Sequence, residues 1–412
     1  MNLPLTSPRT KLWDTSFSFL FASHLLKGLA DQFASVAFVW LLLESGGGAV
    51  STSLLYMSNL VPIMLFGVLF SPLLQRGKMA HWMCASDVVR GLLVLLVPLC
   101  HWFGYAPVWL FFVSAFWQST CGSVYQPASV ALLSKVVVPA QIQAANAVLQ
   151  SSQQVIRFAG LMGAGVLIMM LSARTTLVVT AGVLLLSAVL VLRVSSWEER
   201  APRPDRKPSA DKAYLRDISD GFTTLRQHRL LYIMTVFFAL VNVGVVPLST
   251  LMAVYVHEEL QGSAVMLTLL QASQTAGAFV AGIWLTKVTI RRHGALFLLA
   301  CLLEGIAMLG IGSGEWLWLV VLGSFLFGMA MTAVNVPEMV LIQTTVPAAE
   351  QAKVYAIVTT ISTMLLPVAS LMVGPLAEWI GAGMTIMIGG IFLMVSVLVA
   401  VMFTPLSRAR GE

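Results

Sequence analysis

Several small sets of ionisable side chains stand inside otherwise apolar stretches of this sequence, and their spacing suits proton exchange. His24, Lys27 and Asp31 recur at i, i+3 and i+7, so a helix carries all three on one face, with Gly28 beside them leaving room for a second helix. A charge at mid-bilayer costs about 2.5–3.5 kcal/mol, so each such group needs a partner or a water-filled cavity. A carboxyl whose partners change can gain and lose a proton, which makes Asp31, with Lys27 and His24, the first candidate for proton coupling. The bland alternative is a self-neutralised Lys27–Asp31 pair packed against a neighbouring helix. Gln150, Gln153, Gln154 and Arg157 form a second polar face at helical spacing, lining either a cavity or a packed polar seam. Arg157 lies about as far into its helix as Asp31 does, which leaves an ion pair between them open. Asp87 and Arg90, one to two turns into another helix, read as a structural or gating pair near the cytoplasmic surface. Glu304 is deeper and has no local partner. Its neutral form is the cheapest state in lipid, which makes it a second candidate for carrying a proton. Glu338, directly after Pro337, reads as a hinge or gate residue.

The elements that position these groups must lie in a membrane. Of the 412 residues 58% are hydrophobic and only 10% charged, against about 25% charged in soluble domains, and the mean hydropathy is +0.87. The net charge of +6 is scattered over short loops, without the basic stripe and interleaved aromatics of a nucleic-acid binder. Cys84, Cys100, Cys121 and Cys301 fall inside apolar runs without metal-ligand spacing, so neither a disulfide nor a metal is expected. There is no phosphate-cradling glycine loop, no Ser/His/Asp spacing and no cofactor motif; an enzyme is not expected. The first apolar run, Ser16 to Leu43, is too long for a signal peptide and is expected to remain as a membrane helix.

Apolar runs bounded by Gly, Pro and charge predict helices near 16–43, 51–74, 81–102, 106–134, 143–170 and 175–194, then near 230–256, 264–286, 294–312, 316–342, 352–376 and 382–404. Between the two sets lies the one long polar run, rich in charge and carrying Pro202, Pro204 and Pro208, which cannot build a core. The expected organisation is therefore an all-α membrane protein: a six-helix bundle over 1–194, a cytoplasmic linker over 195–229 and a second six-helix bundle over 230–412. With the N-terminus inside, the inner segments carry Arg9, Lys11, Arg76, Lys78, Lys135, the linker cations, Lys287, Arg291, Arg292, Lys353, Arg408 and Arg410, and the outer loops carry only Arg174. The positive-inside rule then places both termini in the cytoplasm, and a cysteine at Gly47 is expected to label from outside. Duplication leaves echoes at similar offsets: VPAQIQAANAV from Val138 against VPAAEQAKVYAIV from Val346, each following a proline-containing helix (Pro127, Pro337), and ASDVVRG from Ala85 against ACLLEG from Ala300. Parallel halves of this kind characterise transporters that hold substrate near the bilayer midplane.

In LADQFASVAFVWLL from Leu29, YQPASVALL from Tyr125, DGFTTLRQHRLL from Asp220 and NVPEMVLIQTTVP from Asn335, the chain resembles the major facilitator superfamily along essentially its whole length. Within it the chain is most similar to the macrolide-efflux and siderophore-exporter-like branch of drug:proton antiporters. It departs from the superfamily pattern twice. The loop between helices two and three has Ser71, Gln75 and Arg76 where Gly, Asp and Arg are usual, so the latch lacks its acid and Arg76 is left as a gating candidate. The fifth helix has Gly160, Gly163 and Gly165 but lacks the antiporter proline. The resemblance makes helices one and five neighbours, which favours an Asp31–Arg157 pair. It makes the ninth helix peripheral, which counts against Glu304. It also implies a cavity lined by helices one, four, seven and ten, and hence substrate contacts from Trp117, Gln118 and Tyr125 on the fourth, Asn242 on the seventh and Asn335 on the tenth, with Gln154 from the polar face of the fifth. Aromatic and amide groups on an apolar wall suit a bulky amphipathic ligand, although Trp117 serves equally well as packing core.

The resemblance implies a monomeric proton-coupled exporter of bulky amphipathic small molecules in a bacterial cytoplasmic membrane, partnered by substrate, protons and lipid and not by nucleic acid. An exporter of an endogenous anionic metabolite such as a siderophore is the alternative, with Lys27 and Arg157 facing the anion. A non-transporting receptor or scaffold is the alternative of another class.

Overall fold

A backbone in lipid must satisfy its own N–H and C=O groups, and a helix does so within one segment. The computed structural model describes residues 13–69, 78–105, 107–138, 141–198, 222–287, 292–314, 316–347 and 350–403; Arg76, with Ser71 and Gln75, lies outside them, as does 199–221 of the expected linker. Contacts divide the chain into two units, Met1–Leu41 with Ser58–Arg206, and Leu42–Met57 with Lys207–Glu412.

The helices in chain order are α1 Thr15–Glu44, α2 Ala49–Leu69, α3 Met79–Trp102, α4 Val108–Val136, α5 Ile142–Leu171 and α6 Ala173–Glu198. They are followed by α7 Arg229–Val254, continued by a π-helical turn Tyr255–Glu259, then α8 Ala264–Lys287, α9 His293–Gly312, α10 Leu317–Thr345, α11 Gln351–Thr363, α12 Leu366–Ile380 and α13 Ala382–Phe403. Among the described residues, 11 helical spans are long and apolar enough to cross a membrane, one of them being Val354–Ile380, which joins α11 to α12. Helix α4 is not one of them. Its 29 residues extend about 43 Å at 1.5 Å per residue, ample for a core about 30 Å thick, but its middle, QSTCGSVY from Gln118, is polar. Eleven crossings are thus announced by composition and α4 by length alone.

The structure corrects the sequence reading at three places. The single helix expected over 352–376 is broken between Thr363 and Leu366. Pro367 at the start of α12 has no N–H and its ring crowds the preceding turn. The Ser362 carbonyl near that break accepts the side-chain amide of Asn242 on α7 at 2.9 Å. Helix α6 runs on to Glu198, into the expected linker, and a short helix at 222–227 ends that linker. There the Thr224 hydroxyl donates to Glu350 at 2.6 Å. Finally, Gly47 is buried, and a Cβ on it would come within 2.8 Å of the Leu42 carbonyl.

In the first unit α3 packs along both α6 and α4. In the second, α10 packs along α8 and α9, and α13 along α9 and α7. Helices in lipid gain no hydrophobic drive from meeting, so close backbone approach must hold them. Gly277 on α8 and Gly328 on α10 show how: a Cβ on either would collide with a carbonyl of the other helix, Phe325 or Gln274. At one end of the second unit the Glu259 carboxylate accepts the N–H groups of Ala382 (2.5 Å) and Gly383 (3.0 Å), capping α13 where its dipole favours negative charge.

Because Gly47 is buried, the topology is tested at Glu44, which is exposed at the end of α1. We expect Glu44→Cys to react with a membrane-impermeant maleimide from outside intact cells, and tags at both termini to be reached only after permeabilisation. Labelling in the opposite sense would reject the orientation drawn from loop charge.

Candidate functional site

The best-defined concentration of buried polar chemistry lies in the first unit, where α1, α3, α4, α5 and α6 bring side chains together. Helical spacing puts Lys27 and Asp31 four residues apart, and Lys27 Nζ donates to Asp31 Oδ2 at 2.7 Å. The second Asp31 oxygen accepts from Arg90 Nη2 on α3, so one carboxylate holds two cations from two helices. The Lys27 ammonium also lies over the Tyr125 ring of α4, 4.6 Å from its centroid, where the negative face of the ring favours a cation. Beyond Arg90, Asp87 is fully buried. Its Oδ2 lies 2.8 Å from the Ser187 hydroxyl of α6, and that hydroxyl lies 3.2 Å from the Ser23 carbonyl of α1. One turn before Lys27, the His24 ring nitrogen meets the Gln153 amide of α5 at 2.7 Å.

Asp87 and Arg90 are not hydrogen-bonded to each other: among the described residues Arg90 bonds Asp31 and Asp87 meets Ser187, and both side chains are buried. The anticipated Asp31–Arg157 pair is likewise absent, and the register of α5 explains why. Gly28 on α1 admits Ile156 of α5, to which a Cβ would come within 2.7 Å, and Gly160 of α5 meets Gln32 of α1 at 2.8 Å in the same sense. The facing rows are thus His24, Gly28 and Gln32 against Gln153, Ile156 and Gly160. Arg157, one turn after Gln153 and on the side away from Ile156, lies at the edge of this row, where its side chain is exposed.

Of the proposed ligand contacts on α4, Trp117 is about half exposed (51%), whereas Gln118 and Tyr125 are buried. Tyr125 belongs to the charge network and not to an open wall. Gln154 is exposed on α5. In the second unit, Asn242 spends its amide on Ser362, and Asn335 is exposed with its amide donating to Met331 O of its own helix at 2.6 Å. Glu304 on α9 and Glu338 on α10 are buried, and one oxygen of each has no hydrogen-bond partner among the described residues. Sequence reasoning missed Ser187, a lone serine in LLLSAVLVL whose only signal is a hydroxyl in an apolar run. The Arg90–Asp31 contact was missed too, because nothing in a linear pattern tells which of two nearby carboxylates a long side chain will reach.

Asp31→Asn removes the counter-charge of two cations, so we expect a stability loss at the lower end of about 3–5 kcal/mol. Adding Lys27→Met should restore part of it. Arg157→Ala, outside the seam, should change stability by less than about 0.5 kcal/mol. Thermal unfolding of the purified variants in one detergent measures all three; a larger loss for Arg157→Ala than for Asp31→Asn would contradict this arrangement.

Comparison with known proteins places this geometry in a family. A family model described as Major Facilitator Superfamily matches residues 20–367. The chain is 34% identical to the uncharacterized MFS-type transporter YvqJ of Bacillus subtilis, over 97% of this chain and 94% of the relative. It is 18% identical to macrolide efflux protein A of Streptococcus pyogenes, over 96% of this chain and 98% of that one. Among solved structures it is similar to a bacterial homologue of the iron transporter ferroportin in an inward-facing state, with TM-score 0.70 and 12% identity over 94% of this chain and 98% of that one. The nucleoside transporter NupG is similar to the same degree, with TM-score 0.68 and 13% identity over 94% and 98%.

Proposed function

Because the chain belongs to the major facilitator superfamily of membrane transporters, we propose that it is a proton-coupled exporter of bulky amphipathic small molecules, working as a monomer by alternating access in a bacterial cytoplasmic membrane. The observation that carries this reading is the partly buried network of Lys27, Asp31, Asp87 and Arg90: two cations and two carboxyls inside membrane-spanning helices, where charge is costly. Two carboxyls competing for two cations can change partners as helices move, and such a change takes up or releases a proton. At about 100 mV each proton moved inward contributes about 2.3 kcal/mol, on the order of a 50-fold gradient of an exchanged neutral solute. The full-length likeness to a macrolide efflux protein supports the direction and the ligand class. The half-exposed Trp117 offers the aromatic contact that a bulky ligand needs.

A second reading, export of an anionic metabolite, draws on Arg157, exposed beside Gln154 on a polar helix face and without an ion-pair partner among the described residues. Ligand charge separates the two.

Reconstituted into proteoliposomes with an imposed pH gradient, the protein is expected to accumulate erythromycin or ethidium and to move protons the opposite way. Trp117→Ala should weaken binding of one probe more than the other, by about 0.5–1.5 kcal/mol or roughly two- to twelve-fold, with folding intact. Tyr125→Ala, buried under Lys27, should instead impair folding. Gradient-driven movement of a carboxylate siderophore but of neither probe would favour the second reading. No proton movement with any of the three would reject coupling.

A further inference from the structure

The network contains a hydrogen-bonding conflict that points to one of its two carboxyls. Ser187 has a single hydroxyl proton, yet its oxygen lies within hydrogen-bond distance of two acceptors, Asp87 Oδ2 at 2.8 Å and the Ser23 carbonyl at 3.2 Å. If Asp87 is a carboxylate, one of those short contacts sets acceptor against acceptor in a buried site. If Asp87 is a neutral acid, the conflict disappears: its O–H donates to Ser187 Oγ, and Ser187 donates to the Ser23 carbonyl. The cations agree. Arg90 Nε and Nη1 and Asp87 Oδ1 are all buried and without hydrogen-bond partners, three residues apart on one helix, yet they do not pair. An ionised Asp87 would draw them together. Arg90 and Lys27 are both committed to Asp31. The charged and titratable groups around Asp87 among the described residues are Arg90 and Cys84 on α3, Lys27 and Asp31 on α1, and Cys121 and Tyr125 on α4, and the Ser187 hydroxyl meets it from α6.

We propose that Asp87, and not Asp31, carries the coupled proton: Asp87 is the neutral acid of a chain running through Ser187 to the Ser23 carbonyl, while Asp31 stays ionised as the counter-charge of Lys27 and Arg90. The exchange step needs only Arg90 to turn from Asp31 to Asp87. The Asp87 O–H bond then breaks, its proton passes to water, and the new carboxylate takes the unused Arg90 N–H groups, leaving Asp31 with Lys27. Reprotonation of Asp87 returns Arg90 to Asp31. The assignment deepens the proton-coupled reading above and rests on it for the word coupled; the protonation state itself does not.

Infrared difference spectroscopy of the full-length protein in lipid nanodiscs, titrated from acid to alkaline pH, tests the assignment without any ligand. We expect a carboxylic-acid carbonyl band that titrates in wild type, is absent from Asp87→Asn at every pH and persists in Asp31→Asn. Asn keeps the shape of the acid and the bond to Ser187. Asp87→Glu serves if Asp87→Asn does not fold, and should shift the band instead of removing it; Ser187→Ala should shift it too. Acid bands unchanged in Asp87→Asn or Asp87→Glu, or a band lost only in Asp31→Asn, would overturn the proposal. In proteoliposomes Asp87→Asn should lose accumulation of erythromycin driven by a pH gradient while still binding the labelled probe. Undiminished accumulation would overturn the coupling role. A titrating Asp87 band in a wild-type protein that moves no probe against its gradient would reject proton-coupled export, and the coupling role with it, while leaving the acid form of Asp87 established.

Discussion

The Asp31 carboxylate is the interaction on which the polar interior of the first unit depends. It holds Lys27 of its own helix and Arg90 of α3 together, and without it two cations would stand in a low-dielectric setting with no counter-charge. Its consequences spread outward along the helices. Lys27 is steered over Tyr125, which ties α1 to α4, and Arg90 is drawn away from Asp87, which leaves Asp87 to the hydroxyl of α6. Four helices thus share one charge balance, and a change at any of them is felt by the others.

A buried ion pair is weak evidence for stability, since its attraction barely offsets desolvation. Its retention here argues for a role beyond holding the fold. Packing is supplied by other means: Ile156 seated over Gly28, Gly160 against Gln32, and the reciprocal glycine contacts of α8 and α10. The second unit has its own buried carboxyls, Glu304 and Glu338, each with an oxygen that finds no partner among the described residues. Among the described residues no ion pair joins either of them to a cation. The rich network belongs to the first unit.

The broken crossing formed by α11 and α12 shows the same economy of polar groups. Pro367 cannot continue a helix, and the Asn242 amide satisfies a carbonyl next to the break. An asparagine that reads in sequence as a ligand contact is thereby engaged by the backbone. Asn335, the other amide expected to meet substrate, bonds its own preceding turn.

The sequence by itself determined that this chain lies in a membrane, that its described elements are helices, and close to where most of them begin and end, though not the break between α11 and α12. Those properties follow from composition and from lengths of apolar run, which are local. It also identified Lys27, Asp31, Asp87 and Arg90 as the costly residues, because a charge in lipid stands out in any linear pattern. Which of them touch was decided only in three dimensions. Arg157 and Asp31 are matched by position along their helices, but Arg157 sits at the exposed edge of the row that meets α1, and Arg90 of α3 takes Asp31. Arg90 bypasses its near neighbour Asp87 for a carboxylate 59 residues away in the chain. Ser187 gains its meaning solely from lying between Asp87 and the Ser23 carbonyl. Partner choice depends on helix rotation and side-chain reach, neither of which a sequence of residue types contains.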